Sequence, residues 1–231
     1  MNARDPRAAP RILFTSLSGK TSLYGAILKQ ARAFHPDACV LGGDCNPDCA
    51  GRSQASDFIV TPPLEEVSQE EFVDFCSKQT ITHLIPSRDG ELQFFAEARS
   101  ALEAAGIHAM ISPPEAIADC LDKLQFATKA AELGFSPIVT VEELQRLDTS
   151  RVTVKERWGS GSQNIHLDLS HEEAAERAIG LQEPIFQPYH EGRELSGDLY
   201  VDQAGRVGGI ILRWRDFVVS GESKITTTFH N

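Results

Sequence analysis

The first candidate for ligand chemistry is Lys155, which is followed four residues later by a loop of small residues, Gly159–Ser162 (the glycine loop). An ammonium group suits a phosphate as a point charge. Glycine lets backbone N–H groups approach phosphate oxygens without obstruction by a Cβ atom. A plain glycine–serine hairpin turn has the same pattern, so the segment fits either a nucleotide phosphate site or a structural turn.

A second candidate is the extended segment Gln187–Glu194. Alternating backbone N–H and C=O groups near Gln187 and Tyr189 could bind the edge of an adenine. The carboxylate of Glu194 could accept hydrogen bonds from ribose hydroxyls. An edge strand that ends in a charged turn would have the same composition, and both interpretations stay open.

Acidic and basic side chains near two predicted strands are candidates for substrate contacts. Asp89 and Glu91 follow the apolar run Thr82–Ile85, and ligands of open α/β sheets bind beyond the carboxyl ends of strands. Acidic residues at a helix start also complement its dipole, which is the alternative. Arg213 and Arg215 could contact substrate or phosphate, or lie in solvent on a strand.

Two other patterns lack the spacing that their chemistry requires. Ser18–Thr21 resembles the end of a P-loop, but Phe14 stands where that motif needs a glycine. We therefore predict a strand-to-helix turn, whose backbone amides could still bind an anion. Cys45 and Cys49 have no second pair of ligands at metal-site spacing, so we predict ordinary loop thiols and no metal site.

The elements that must position these residues fall into two groups. Residues 11–112 alternate strand and helix patterns, which predicts an α/β fold with a Rossmann-like parallel sheet and helices on both faces. The predicted elements include strands over Arg11–Leu17 and Ala38–Leu41 and a helix over 92–102. In the second group, helices are predicted to begin at the capping boxes 112–115 and 170–173 and at the cap Asp122. Alternating segments there predict antiparallel strands, including Arg151–Arg157 and a hairpin of Glu194–Val201 with Arg206–Trp214. We therefore place one domain at 11–114 and a second, α+β, at 115–231.

Composition excludes several classes of function. The chain has 231 residues, 22 Lys plus Arg and 33 Asp plus Glu, for a net charge of −11. This acidic balance disfavours a general nucleic-acid binder, since phosphate neutralisation needs a basic surface. There is no apolar run of about 18 residues and no signal-peptide pattern in the first ten, so we expect a cytoplasmic protein without a membrane span. Five cysteines in such a chain make a disulfide framework a poor interpretation.

In chain order, these motifs resemble the ATP-grasp superfamily and, within it, the branch of the carbamoyl-phosphate synthase large subunit. The resemblance covers about residues 11–231. It implies a pre-ATP-grasp Rossmann-like domain followed by an incomplete ATP-grasp α+β domain. It rests on segments that occur in the family's order: Cys39–Asp44, Ala55–Asp57, Ile85–Leu92, Asp122–Lys123 with Gly134–Pro137, Val154–Lys155 with the glycine loop, Gln187–Glu194 and Ser220–Ser223.

The resemblance also implies roles for individual residues. Two lysines would hold the phosphates of ATP, the glycine loop would close over them, and the segment after it would bind adenine and ribose. Gln187 stands where the family more often has glutamate. The implied cofactor-binding residues are Lys123, Lys155, Gly159, Gly161, Ser162, Gln187, Tyr189 and Glu194.

The main departure from the family concerns magnesium. The family's ligands are a glutamate on a later strand and a Glu-x-Asn motif, and this sequence has four asparagines and no Glu-x-Asn. Since phosphoryl transfer depends on positioning and on neutralisation by Mg²⁺, we expect no metal held by this chain in the family's manner. We also expect a chain that stops before the family's metal-binding motif.

The implied activity is ATP-dependent ligation, in which ATP phosphorylates a carboxylate and an amine or ammonia attacks the acyl phosphate. This chain would be the ATP-binding portion, with ATP and a small carboxylate or amine as ligands. A second chain could supply the C-terminal part of the ATP-grasp domain, and the chain could form a homo-oligomer. One alternative is a catalytically incomplete nucleotide-binding or regulatory protein that keeps the fold. Another is a small-molecule binder that uses only the N-terminal domain. No catalytic residue is assigned.

Overall fold

The computed structural model describes residues 9–202 and 204–230. The chain divides into two compact units, of which the first ends at Ala118 and the second begins at Asp119. Within the described ranges, no helix is long and apolar enough to cross a membrane.

The first unit contains the predicted parallel sheet, which confirms the α/β fold class. Five strands pair in parallel in the order β3-β2-β1-β4-β5. They are β1 (Arg11–Phe14), β2 (Cys39–Asp44), β3 (Asp57–Val60), β4 (His83–Ile85) and β5 (His108–Ala109). The helices are α1 (Thr21–Phe34), α2 (Gln69–Lys78), α3 (Asp89–Glu97) and α4 (Arg99–Ala104), and α5 (Pro114–Leu121) includes the boundary between the units.

Apolar clusters cover both faces of this sheet. Leu13 and Phe14 are consecutive in β1, so their side chains point to opposite faces, and both are fully buried. Leu13 packs in the cluster that contains Phe72 and Phe95, and Phe14 packs in the one that contains Tyr24. Burial on both faces explains why the strands appear in the sequence as short apolar runs without alternation.

Two boundaries differ from the prediction for identifiable reasons. The predicted strand Arg11–Leu17 ends at Phe14, since Ser16 has a φ of 51°. Strand β2 continues through Gly42 and Gly43 instead of ending at Leu41. A Cβ atom on Gly42 would lie 2.7 Å from a Leu17 methyl group, so glycine allows this close packing. The predicted helix over 92–102 is two helices, α3 and α4, which meet at the buried Ala98.

The second unit contains two antiparallel sheets. One has the order β7-β6-β8 and the other β11-β10-β9. The strands are β6 (Val152–Glu156), β7 (His166–Leu169), β8 (Pro184–Pro188), β9 (Leu195–Val201), β10 (Val207–Val219) and β11 (Glu222–Phe229), and the helices are α6 (Lys123–Glu132) and α7 (His171–Ala178). Strand β11 was not predicted from the sequence, and β10 extends beyond the predicted end at Trp214 to Val219. A tight turn joins the two strands at Ser220 and Gly221, both with positive φ (49° and 76°), as two-residue hairpin turns require.

Candidate functional site

The start of α6 is tied to the end of β6 by an ion pair. Asp122 caps the helix by accepting hydrogen bonds from the backbone N–H groups of Leu124 (3.0 Å) and Gln125 (3.1 Å). The same carboxylate accepts from Arg157 through Nε (2.8 Å) and Nη2 (2.5 Å). The hydrogen bonds from Arg157 hold the pKa of Asp122 below its usual value, and those from backbone N–H groups add to this effect. The bidentate pair therefore fixes where Lys123, the next residue, enters the helix.

Lys123 lies over the beginning of the glycine loop. Its Nζ donates to the carbonyl oxygens of Arg157 (3.1 Å) and Gly159 (2.8 Å). Partial burial lowers the pKa of Lys123, while the carboxylates of Glu156 and Asp122 act in the opposite direction. The ammonium group is thus held at the loop by two backbone acceptors and keeps a third N–H.

Lys155 is the residue of this group without a partner. It is half-buried, and among the described residues it makes no side-chain hydrogen bond or ion pair. Burial lowers its pKa, and the positive charge of Lys123 lowers it further. Two partly desolvated ammonium groups that repel each other are costly, and an anion bound between them would offset that cost.

The strand register places Lys155 and Gln187 on the same face of their sheet. Thr153 lies opposite Gln187 in the β6–β8 pairing, and Lys155 is two residues from Thr153. Residues two apart in a strand share a face, so this face is opposite to the one that packs Val152 and Val154 against Ala174 of α7. Helix α7 therefore does not cover the sheet face that carries Lys155.

The glycine loop contacts the turn between β10 and β11. Positive φ values occur at Gly159 (95°), Gly161 (72°) and Ser162 (54°), so the glycines adopt a conformation that other residues rarely take. A Cβ atom on Gly221 would lie 2.7 Å from Ser162 Oγ and 2.8 Å from the carbonyl carbon of Gly161. Only glycine at position 221 allows the loop and the turn to approach this closely. Two segments that the sequence analysis singled out thus lie side by side.

Arg215 links this turn to Glu194. Its Nη2 donates to the carbonyl oxygen of Gly221 (2.6 Å), and its Nη1 donates to Glu194 Oε2 (2.7 Å). Arg213, two residues earlier on the same face of β10, pairs with Asp198 (2.6 Å). Both arginines predicted as substrate contacts therefore have partners within the unit, and Arg215 lies beside the glycine loop through the turn.

The predicted adenine-binding residues have partners of their own. The Gln187 side chain donates through Nε2 to Thr140 Oγ1 (2.8 Å). The Tyr189 backbone N–H donates to the carbonyl oxygen of Arg151 (2.9 Å), and the Arg151 guanidinium lies 4.6 Å from the centroid of the Tyr189 ring. These contacts set the conformation of the segment and occupy part of its hydrogen-bonding capacity.

In the first unit, the two acidic candidates differ in environment. Glu91 is only 2% exposed and accepts hydrogen bonds from Thr15 Oγ1 (2.6 Å), Ser16 Oγ (2.8 Å) and the backbone N–H groups of Ser87 (2.7 Å) and Arg88 (3.1 Å). This carboxylate joins the ends of β1 and β4. Asp89 is exposed at the start of α3, at the carboxyl end of β4.

The segment with a P-loop-like sequence forms the turn predicted for it. Helix α1 begins at Thr21, directly after Lys20 at the N-cap. The Ser18 backbone N–H, one of the amides that could have bound an anion, donates to Asp44 Oδ2 (3.0 Å). A carboxylate of the chain itself therefore occupies part of this turn.

Sequence reasoning missed Arg157 and Thr140. Arg157 was assigned only to the end of a strand, although its pairing with Asp122 positions Lys123. The two residues are 35 positions apart, and no local pattern connects them. Within residues 9–202 and 204–230, no group of three or more His, Cys, Asp and Glu side chains could hold a metal ion.

Comparisons with known proteins concern the fold of the chain. A family model described as the PylC-like N-terminal domain matches residues 12–111. A comparison with curated proteins found no match. Many solved structures resemble the chain.

Three of these structures illustrate the likeness. The biotin carboxylase of Campylobacter jejuni, in complex with β-γ-ATP, has a TM-score of 0.65 at 12% identity. The alignment covers 95% of this chain and 54% of the carboxylase chain. The biotin carboxylase domain of Hydrogenobacter thermophilus 2-oxoglutarate carboxylase, with MgADP and bicarbonate, has a TM-score of 0.66 at 13% identity. The alignment covers 92% of this chain and 51% of the carboxylase chain. The L-amino acid ligase of Bacillus licheniformis has a TM-score of 0.59 at 15% identity, and the alignment covers 89% of this chain and 50% of the ligase chain.

This chain therefore spans about half the length of these three solved structures. At such low identity the likeness concerns the fold. The structures that share this fold include both carboxylases and a ligase. The chain has the fold of ATP-grasp enzymes: a Rossmann-like parallel sheet followed by part of an ATP-grasp domain.

Proposed function

We propose that this chain binds ATP in its second unit, as the ATP-binding portion of an ATP-grasp ligase that joins a carboxylate to an amine or ammonia. The observation that carries the proposal is the environment of Lys155. Its half-buried ammonium has no hydrogen-bonding partner among the described residues and lies beside a second lysine at a glycine loop. A polyphosphate supplies the charge and the acceptors that this group lacks.

Each residue of the site has a role in this proposal. Lys155 and Lys123 bind phosphate oxygens, and the backbone of the glycine loop covers them. Glu194 binds the ribose hydroxyls, and the segment that includes Gln187 and Tyr189 binds adenine mainly through its backbone, since the Gln187 amide already donates to Thr140. ATP supplies the phosphoryl group that activates the carboxylate as an acyl phosphate. The proposal includes Mg²⁺ as the ion that accompanies ATP and assigns it no ligand in this chain.

The finer assignments are also proposals. The motif order supports a relationship to the carbamoyl-phosphate synthase branch, while the named neighbours are biotin carboxylases and an amino acid ligase. The substrate is accordingly proposed only as a small carboxylate with an amine or ammonia. A cytoplasmic location is likewise part of the proposal.

Nucleotide binding is tested by thermal unfolding with and without ATP, each in the presence and absence of Mg²⁺. At 100 times its dissociation constant, a ligand specific for the native state adds about 2.7 kcal/mol of stability. We expect Lys155→Met to abolish that gain while its own stability stays equal to or above that of the wild type, since a poorly solvated charge is removed. Lys129→Met is the matched control, because Lys129 lies on the exposed side of α6, paired with Glu132.

Absence of any ATP-dependent shift in the wild type, or an equal shift in Lys155→Met, would contradict the proposed site. Catalysis is measured separately by trapping an acyl phosphate with hydroxylamine during incubation with candidate carboxylates. Binding without turnover, even with a co-encoded partner chain, would favour the catalytically incomplete alternative.

A further inference from the structure

The connection that contains the glycine loop leaves β6 and returns to β7 where the pairing of these two strands has stopped. The antiparallel register between them reaches Val154 and His166. Two residues further on each side, the same register would place Glu156 opposite Asn164. The backbone ladder does not continue there, because Asn164 has a φ of 51°, in the left-handed region. The connection that the ladder leaves open therefore covers residues 155–165.

A side-chain contact takes the place of the missing ladder pair. The Asn164 amide donates through Nδ2 to Glu156 Oε1 (3.1 Å). The same oxygen accepts from the backbone N–H of Gln182 (3.1 Å), two residues before β8 begins. Both acceptor positions of Oε1 are thus in use. One carboxylate ties the exit of the glycine loop to the end of β6 and to the segment that leads into β8.

The residue types at both positions suit this contact. Asparagine adopts a left-handed backbone conformation more readily than most residues, and a carboxylate accepts stronger hydrogen bonds than a neutral group does. Glu156 is half-buried and directly follows Lys155 in β6. Since consecutive residues of a strand point to opposite faces, Glu156 supports the loop without occupying the face that carries Lys155.

The loop is held at its start, its middle and its exit by different contacts. Lys123 holds the start through the carbonyl oxygen of Gly159 (2.8 Å). The middle packs against the turn between β10 and β11. Glu156 holds the exit through Asn164. Because the proposed function assigns Lys123 to phosphate as well, the exit contact supports the loop without using a group that also serves the ligand.

We propose that Glu156 and Asn164 are positioning residues for phosphate binding, whose contact keeps the glycine loop in the shape in which its backbone N–H groups reach the nucleotide. This role rests on the proposed function. A loop of fixed shape does not have to be ordered when the ligand binds, which favours affinity. Release of the exit should therefore weaken the binding of ATP, since the loop would have to be ordered in each binding event.

The test is calorimetric titration of the wild type and its variants with ATP in the presence of Mg²⁺. We expect Glu156→Ala to raise the Kd roughly fivefold, because a hydrogen bond to a charged group is lost. Glu156→Gln keeps an acceptor oxygen and should stay within about twofold of the wild type. Glu172→Ala is the matched control, because it removes an exposed carboxylate of α7 in the same unit, and it should leave the Kd unchanged.

Asn164→Gly separates the side-chain contact from the backbone conformation. Glycine adopts a left-handed φ more readily than asparagine, so a purely conformational role of Asn164 predicts equal or tighter binding of ATP. Loss of the amide contact instead predicts a Kd raised as in Glu156→Ala, with no further rise in the double variant. Asn164 is exposed, so this variant decides the question even where Glu156→Ala fails to fold.

Cleavage by chymotrypsin after Trp158, which is 46% exposed beside the glycine loop, measures the loop without nucleotide. Cleavage should be faster in Glu156→Ala and in Asn164→Gly than in the wild type. Equal ATP affinity of the wild type and both variants, or unchanged cleavage, would overturn this role and leave the proposed function standing. A wild type that binds no ATP would overturn the proposed function and this role with it.

Discussion

Removing the carboxylate of Asp122 is the perturbation whose consequence the structure defines most sharply. This side chain is 8% exposed and makes two kinds of contact, one as the N-cap of α6 and one as the acceptor of both Arg157 nitrogens. Asp122→Ala removes both. Asp122→Asn keeps a good capping residue and removes the ionic contact, so the two variants separate the contributions.

The magnitudes follow from the two contacts. Loss of an N-cap costs about 1 kcal/mol, and loss of the charge-assisted hydrogen bonds that Asp122 accepts costs about 2 kcal/mol more. We therefore expect Asp122→Ala to lower the free energy of unfolding of the second unit by about 3 kcal/mol and Asp122→Asn by about 2 kcal/mol. Glu132→Ala, which breaks an exposed pair on the same helix, should cost about 0.5 kcal/mol or less.

Urea unfolding followed by tryptophan fluorescence is a suitable assay, because both tryptophans, Trp158 and Trp214, belong to the second unit. A loss of about 3 kcal/mol corresponds to a fall in the midpoint of roughly 1 M or more. If Asp122→Ala and Glu132→Ala had the same effect, the ion pair with Arg157 would not anchor α6.

The effect also has a defined pH dependence. Arg157 lowers the pKa of Asp122 in the folded state. The contribution of the carboxylate is thus fully present above its ordinary pKa of about 4 and is lost as the pH falls through the lower folded value. The difference in stability between wild type and Asp122→Asn should shrink between about pH 5 and pH 2. A difference that stays constant over this range would contradict the ionic role.

Three further predictions concern other contacts. Gly221→Ala should displace the glycine loop and increase its proteolysis. Gly205→Ala is the control, because Gly205 has a similar φ (75°) and open space around the added methyl group. Equal proteolysis of the loop in both variants would contradict the contact between the loop and the turn. Glu91→Ala should destabilise the first unit by about 2 kcal/mol, since the backbone N–H groups of Ser87 and Arg88 would lose their acceptor. Circular dichroism measures this, and unchanged stability would refute it. In the native protein, Cys76 should resist a thiol reagent at pH 8 while Cys120 reacts. Burial raises the pKa of Cys76 to about 12, and Cys120 is exposed. Equal rates of modification of the two cysteines would contradict the burial of Cys76.

The parallel sheet could be predicted from the sequence because its signals are local. Each strand is a short apolar run, and each turn that follows carries glycine, proline or a helix cap. The boundaries could not be predicted with the same accuracy. The end of β1 depends on the left-handed conformation of Ser16, and the extension of β2 depends on how closely Leu17 packs on Gly42. Both are tertiary effects.

The lysines and the glycine loop could be proposed as a candidate site from the sequence, since charge and small residues are visible in the residue types. Their role in binding stays a prediction. The contacts that support these residues could not be proposed in this way. The pairing of Asp122 with Arg157 and that of Gln187 with Thr140 join residues 35 and 47 positions apart. Strand β11 was missed because Thr227 interrupts the apolar alternation between Ile225 and Phe229. In addition, the preceding segment Ser220–Ser223 had been assigned to the family resemblance.

The position of Arg215 indicates how the parts of the site act together. It uses Nη1 for Glu194 and Nη2 for the Gly221 carbonyl oxygen, so one guanidinium plane links the segment proposed for ribose to the turn beside the glycine loop. A carboxylate has about four acceptor positions, and Arg215 occupies one on Glu194. Ribose hydroxyls can therefore bind Glu194 without breaking the ion pair. Arg215 acts as a positioning residue in this arrangement, because a shift of the Glu194 segment would be transmitted through it to the turn that supports the loop.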